Sequence, residues 1–272
     1  MKFVDPKIDI TFKKIFGNDA HKNILIEFLN EVLDLESPIE SVTINNAYQV
    51  PRLKGLKETM LDVKATDKLK REFIVEMQVE KEMAFAQRAV YYSSKAYSQQ
   101  LEKAEKYHLL KPVIFLGILN FNMFDHNNVI SRHLILNKET GWYDLKDLEF
   151  NFIELKKFTK SQLQLDSVVD KWIYFLRHAD DLDRVPENTN TSALQDAYQV
   201  AAQHTWTREE LDIYEAQEFK IAVNHNVIET AHMDGKLEGK LEIAKTMLAA
   251  GFDLDTIAKI TKLMLKEIES LK

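Results

Sequence analysis

The chain contains no cysteine, which excludes disulfides and thiolate metal sites. Its eight histidines show no H-x-x-x-H or other paired spacing, so a zinc centre is not expected. No apolar run approaches the roughly 20 residues of a membrane-crossing helix. The best of them, Pro112–Leu119, suits a buried strand. Lys2 is followed closely by Asp5, so the start does not read as a signal peptide, and a soluble cytoplasmic protein with no membrane partner is expected. There is no excess of positive charge either: the formal net charge of −7 argues against a generally basic nucleic-acid binder. An acidic protein can still gather its basic residues at one cleft. What is present, 45% hydrophobic and 29% charged residues over 272 positions, belongs to a globular protein of one large domain or two ordinary ones.

The most informative stretch is 59–80. Leu61, Val63 and Ala65 alternate with Asp62, Lys64 and Thr66, and Phe73, Val75, Met77 and Val79 alternate with Ile74, Glu76, Gln78 and Glu80. Two strands joined by the polar residues 67–71 follow from that period of two. Asp62 and Lys64 then share one face, as do Glu76 and Gln78. If the register pairs them, Asp62 and Glu76 lie on adjacent strands within reach of one cation. Mg²⁺ suits such a site because it keeps several waters and takes few carboxylates. The alternative is a ribbon with an ordinary solvated face.

Around this hairpin the pattern is α/β. Ile8, Phe12, Ile15 and Phe16 mark a first helix ending at Gly17, with Asp9 as its cap or as a third acid. Ile24, Leu25, Phe28, Leu29, Val32 and Leu33 mark a second helix. Residues 39–50 read as a strand and 51–58 as a basic loop. A long helix over 83–106 places Arg88, Tyr92 and Lys95 on one face, a stripe suited either to phosphate contact or to laying long stems over a sheet. Strands are expected at 113–119, 131–136 and 149–155. After Lys160 only helices are expected, including one opened by the capping box Thr207–Glu210. From Asp234 a repeated Gly-Lys-Leu-Glu leads into three short helices. These fit a helix-turn-helix or, given seven lysines against seven acids in 234–272, an oligomerisation tail. The expected segments are a core over 1–160, a helical extension over 161–232 and a small tail over 233–272.

Asp9…Phe12-Lys13…Phe16, Leu61-Asp62-Val63, Val75-Glu76-Met77-Gln78, Arg88…Tyr91-Tyr92…Tyr97…Gln100-Leu101, Phe152-Ile153-Glu154-Leu155-Lys156-Lys157-Phe158 and the closing Gly239…Glu242-Ile243-Ala244…Gly251…Ile257-Ala258…Thr261…Glu267-Ile268 together resemble the recombination-promoting nuclease and transposase (Rpn-type) family of the PD-(D/E)XK nuclease superfamily. The resemblance spans nearly the whole chain. It implies a restriction-endonuclease-like core, with a mixed central sheet flanked by helices and a helical C-terminal region. It also implies a metal-dependent DNA endonuclease promoting recombination. On it, Asp62 and Glu76 are the central acidic pair and Asp9 supplies a third metal ligand, for Mg²⁺ or another divalent ion such as Mn²⁺ or Ca²⁺. Lys13, Arg88, Tyr92 and Lys95 are then DNA contacts, Gln87 or Gln100 matches a helical glutamine, and a homodimer through the C-terminal helices permits double-strand breaks. One departure stands out: Gln78 occupies the place of the superfamily's lysine. A glutamine carries no charge with which to favour hydroxide. Lys64 is the nearest substitute in sequence, and a catalytically weak or inactive module that binds nucleic acid or protein is the alternative.

Overall fold

A computed structural model describes residues 2–45, 48–49, 59–102 and 104–271. The expected basic loop 51–58 and the end of the expected strand at Val50 lie outside the described residues. The chain divides into two compact units, Met1–Glu215 and Ala216–Lys272.

The first unit is built on a six-stranded mixed sheet. Its strands are β1 (Val42–Asn45), β4 (Val63–Asp67), β5 (Glu72–Gln78), β6 (Val113–Leu119), β7 (Ile130–Ile135) and β8 (Leu145–Glu154), in the spatial order β1-β4-β5-β6-β8-β7. A separate short ribbon joins β2 (Tyr48–Gln49) to β3 (Thr59–Met60). The pairs β5–β6 and β6–β8 are parallel, and the outer pairs are antiparallel. The sequence order explains this: β4–β5 and β7–β8 are joined by short turns, whereas β5 reaches β6 through helix α3 (Phe85–Gln99). β6 is buried at every position and β5 at its five central ones, because helices cover both faces.

On one face α3 packs over Ile74, Phe115 and Phe152. The other helices of the unit form a second layer: α1 (Asp9–Phe16), α2 (Lys22–Val32), α4 (Val168–His178) and α5 (Ser192–Ala201). Phe12, Phe16, Phe28, Trp172, Phe175 and Tyr198 make a chain of ring contacts through that layer, with successive centroids 4.7–6.0 Å apart. The six positions expected inward on α2 and its end are all buried.

Several boundaries differ from the sequence reading. β1 spans only Val42–Asn45 because Ile39 is tied at both backbone polar groups to the Asn30 side chain, at 2.7 and 2.9 Å. Asp9 does not cap α1: the N-cap is Ile8, without a side-chain bond, and Asp9 sits in the first turn. The first of the three expected C-terminal helices is not separate. Helix α6 runs unbroken over Arg208–Ala249, through Gly235 and Gly239, after the Thr207–Glu210 capping box. In the second unit the end of α6, α7 (Leu254–Thr261) and α8 (Leu265–Glu269) enclose a small core of Ala244, Ile257, Leu263 and Ile268. Gly251 makes the turn at φ +83°, and Asp253 caps α7. Among the described residues no helix is long and apolar enough to cross a membrane.

Candidate active site

The β4–β5 hairpin sets the site. Val63 pairs with Val75, so the residue before β4, Asp62, falls opposite Glu76. Each carboxylate accepts a hydrogen bond from the opposite segment. The Met77 amide donates to Asp62 Oδ2 at 2.8 Å, and the Asp62 amide donates to Glu76 Oε1 at 3.1 Å. The register that zips the hairpin therefore also aims both acids. Lys64 shares their face, but its ammonium is paired with Glu72 at 2.9 Å and contacts neither acid.

Three further elements converge here. From α1, Lys13 Nζ lies 2.6 Å from Asp9 and 3.9 Å from Asp62 Oδ1, so Asp9 meets the pair through a lysine. From the end of β5, the Gln78 amide oxygen accepts from Arg88 Nη2 at 2.5 Å, and its nitrogen donates to the Glu80 carbonyl. From α3, Arg88 also pairs with Glu82 and lies over the rings of Phe85 and Tyr92. Tyr92 is buried in the core beneath α3, so the Arg88–Tyr92–Lys95 stripe is not a uniform solvent-facing rail. Lys95 lies a turn further along α3 and is half-buried. Gln100 is engaged elsewhere, with both backbone polar groups of Lys111, and Gln87 is exposed.

The electrostatics single out the pair. Burial, and then the neighbouring Asp62 charge, push the Glu76 carboxyl up to about 8, against the opposing pull of the Asp62 amide, Arg88 and Lys13. Burial raises Asp62 as well; the Met77 amide and Lys13 draw it down, and Asp9 raises it. Two carboxylates face each other short of positive charge. Hard oxygen donors held by backbone amides at a charge deficit fit a divalent cation. Among the described residues no group of three His, Asp or Glu side chains converges to hold a metal; the acids brought together are the pair, with Asp9 behind Lys13.

Two features escaped the sequence reading. Gly117 of β6 is the register partner of Glu76, and a Cβ there would fall 2.9 Å from Phe152 Cδ1. The glycine lets Phe152 close over the strand beside Glu76. Its signal was a lone glycine inside an apolar strand. The Gln78–Arg88 bond joins residues ten positions apart across a turn, and no pattern in the sequence announces it.

A family model described as PD-(D/E)XK nuclease family transposase matches residues 6–231. A second, described as Rpn/YhgA-like nuclease family, C-terminal HTH domain, matches residues 237–272. No curated protein and no solved structure matches the chain.

Proposed function

The chain belongs to the PD-(D/E)XK nuclease family of transposases, and from that premise we propose that it is a divalent-cation-dependent DNA endonuclease acting in DNA recombination. The observation that carries this reading is the Asp62–Glu76 pair. A buried glutamate and a half-buried aspartate meet at adjacent positions of paired segments, each held by a backbone amide of the opposite segment, with too little positive charge between them. Asp62 and Glu76 would hold Mg²⁺ or Mn²⁺, which when bound supplies Lewis acidity toward water and the phosphodiester. The chain's own residues do the rest. The Met77 and Asp62 amides fix the carboxylate orientations, Lys13 opposes the rise that burial imposes on Asp62, and Phe152 and Phe115 wall the site beside Gly117. Hydrolysis forms one P–O bond from water and breaks one ester P–O bond; the water loses a proton and the departing oxygen gains one. The 237–272 helix-turn-helix domain engages duplex DNA, and pairing of two copies would give double-strand breaks.

The test is nicking of supercoiled plasmid in Mg²⁺ by the wild type and by Asp62→Ala. Nicking by the wild type alone is expected, and equal nicking by both rejects the assignment. A second reading, a nuclease fold that binds without cutting, draws on the absence of a third converging acid among the described residues. Calorimetric titration with Mn²⁺ separates the two, since binding that disappears in Glu76→Gln favours the enzyme.

A further inference from the structure

The E-x-Q arrangement leaves open which cation stands where the superfamily's lysine would be. Three cations are candidates. Lys64 is held by Glu72, and Lys13 is shared between Asp9 and Asp62. Arg88 is different. Its Nη2 donates to the Gln78 amide oxygen at 2.5 Å, and the Gln78 nitrogen is fixed in turn by the Glu80 carbonyl at 3.1 Å. That second bond sets the amide so that its oxygen, and not its nitrogen, faces the guanidinium. A lysine at position 78 would set two like charges together. Glutamine is thus the residue that an arginine at this place calls for.

We propose that Arg88 is a catalytic residue, supplying from α3 the positive charge that stabilises the scissile phosphate during cleavage, and that Gln78 is its positioning residue. This rests on the nuclease reading above. The guanidinium is well prepared. It lies 4.8 Å from the Phe85 ring centroid and 5.8 Å from that of Tyr92, which restricts it from below. Its side chain is only 23% exposed, and Nε is buried without a partner among the described residues. The one anion it holds, Glu82, is 45% exposed and replaceable by a phosphate oxygen. A planar fork with five N–H donors matches the non-bridging oxygens of a phosphodiester. Arg88 moves no proton; it donates hydrogen bonds to oxygens whose negative charge grows as water adds and the ester bond breaks. Its field already reaches both Asp62 and Glu76.

The test is single-turnover cleavage of plasmid DNA in Mg²⁺ by the full chain, with DNA affinity measured separately in Ca²⁺. Arg88→Ala is expected to slow cleavage at saturating DNA by about 10²–10³-fold, the scale of losing one oriented donor to a developing oxyanion, with affinity changed by less than about threefold. Gln78→Ala is expected to cost roughly tenfold alone and nothing further in the Arg88→Ala background, the behaviour of residues that act as a unit. Free guanidinium ion at millimolar concentration should restore part of the rate to Arg88→Ala and none to Asp62→Ala. Arg88→Lys, which keeps charge but not the fork, should remain slow and serves if the alanine variant does not fold. A lowered affinity with an unchanged rate, independent losses at the two positions, or a fully active Gln78→Lys would each overturn the inference. Failure of wild type and Asp62→Ala to differ would instead overturn the nuclease reading and this inference with it. An Arg88→Ala enzyme as fast as wild type, where Asp62→Ala is dead, would sink this inference alone.

Discussion

Two glutamates lie buried near the same edge of the sheet, on strands either side of β6, and they are treated in opposite ways. Glu154, at the end of β8, is 0% exposed; its Oε1 accepts the amides of Met123 and Phe124, and its Oε2 accepts the Lys157 ammonium at 2.6 Å. Lys157 in turn donates to the Phe124 carbonyl at 2.8 Å. Every charge there has its partner, and the product is a pinned loop. Glu76 is 5% exposed, takes a single amide, and faces another acid. A buried carboxylate with full compensation is scaffold, and Glu76 lacks that compensation.

That contrast can be broken by experiment. Glu76→Gln should abolish Mg²⁺-dependent nicking, by on the order of 10³-fold or more, while the protein stays folded by circular dichroism. A Glu76→Gln protein that still nicks would place the acid on the scaffold side. Glu154→Gln should do the reverse. Leaving the Lys157 ammonium buried and unpaired should cost about 3 kcal/mol, roughly 6–12 °C in Tm, with the cleavage rate per folded molecule little changed. An unchanged melting temperature would dissolve the distinction.

A smaller effect tests the charge deficit itself. The folded state holds a proton on Glu76 up to about 8, above the ordinary 4.5 of a glutamate. Its folded value is therefore raised, so the contribution is complete below 4.5 and is lost as pH rises toward 8. In chelator, unfolding titrations should show stability falling across that window by up to about 1.4 kcal/mol per pH unit. Glu76→Gln should flatten the slope. A wild-type slope of the opposite sign would refute the deficit. The smallest effect is expected at Lys64: because its ammonium serves Glu72, Lys64→Met should leave the nicking rate within about threefold of wild type. A hundredfold loss would restore Lys64 as the substitute for the superfamily's lysine.

The hairpin was legible because alternation is a local property: the same period that buried Leu61, Val63, Phe73 and Val75 put Asp62 and Glu76 together. The α/β class and the inward faces of α1 and α2 were legible for the same reason. The role of Lys64 was not, because sharing a face does not say which of two acids, Glu72 or Asp62, a flexible ammonium meets. Nor was the placement of Lys13, which comes to Asp62 from a helix far away in sequence. The repeated Gly-Lys-Leu-Glu suggested a lead into a separate short helix, whereas one helix runs through Gly235 and Gly239 and onward to Ala249, since two glycines weaken a helix without ending one. Arg88 was singled out from the sequence, but as one of a stripe of phosphate contacts; only the packed α3 shows it turned onto Gln78.

The reciprocal amide bonds of Asp62 and Glu76 have a consequence for misfolded copies. A hairpin that zips up one residue out of step turns its acids to the other side and forfeits both of those bonds together. Such a copy has no acidic pair at all. Under the proposed cleavage, assembly errors of this kind then yield inert chains and not indiscriminate scissors.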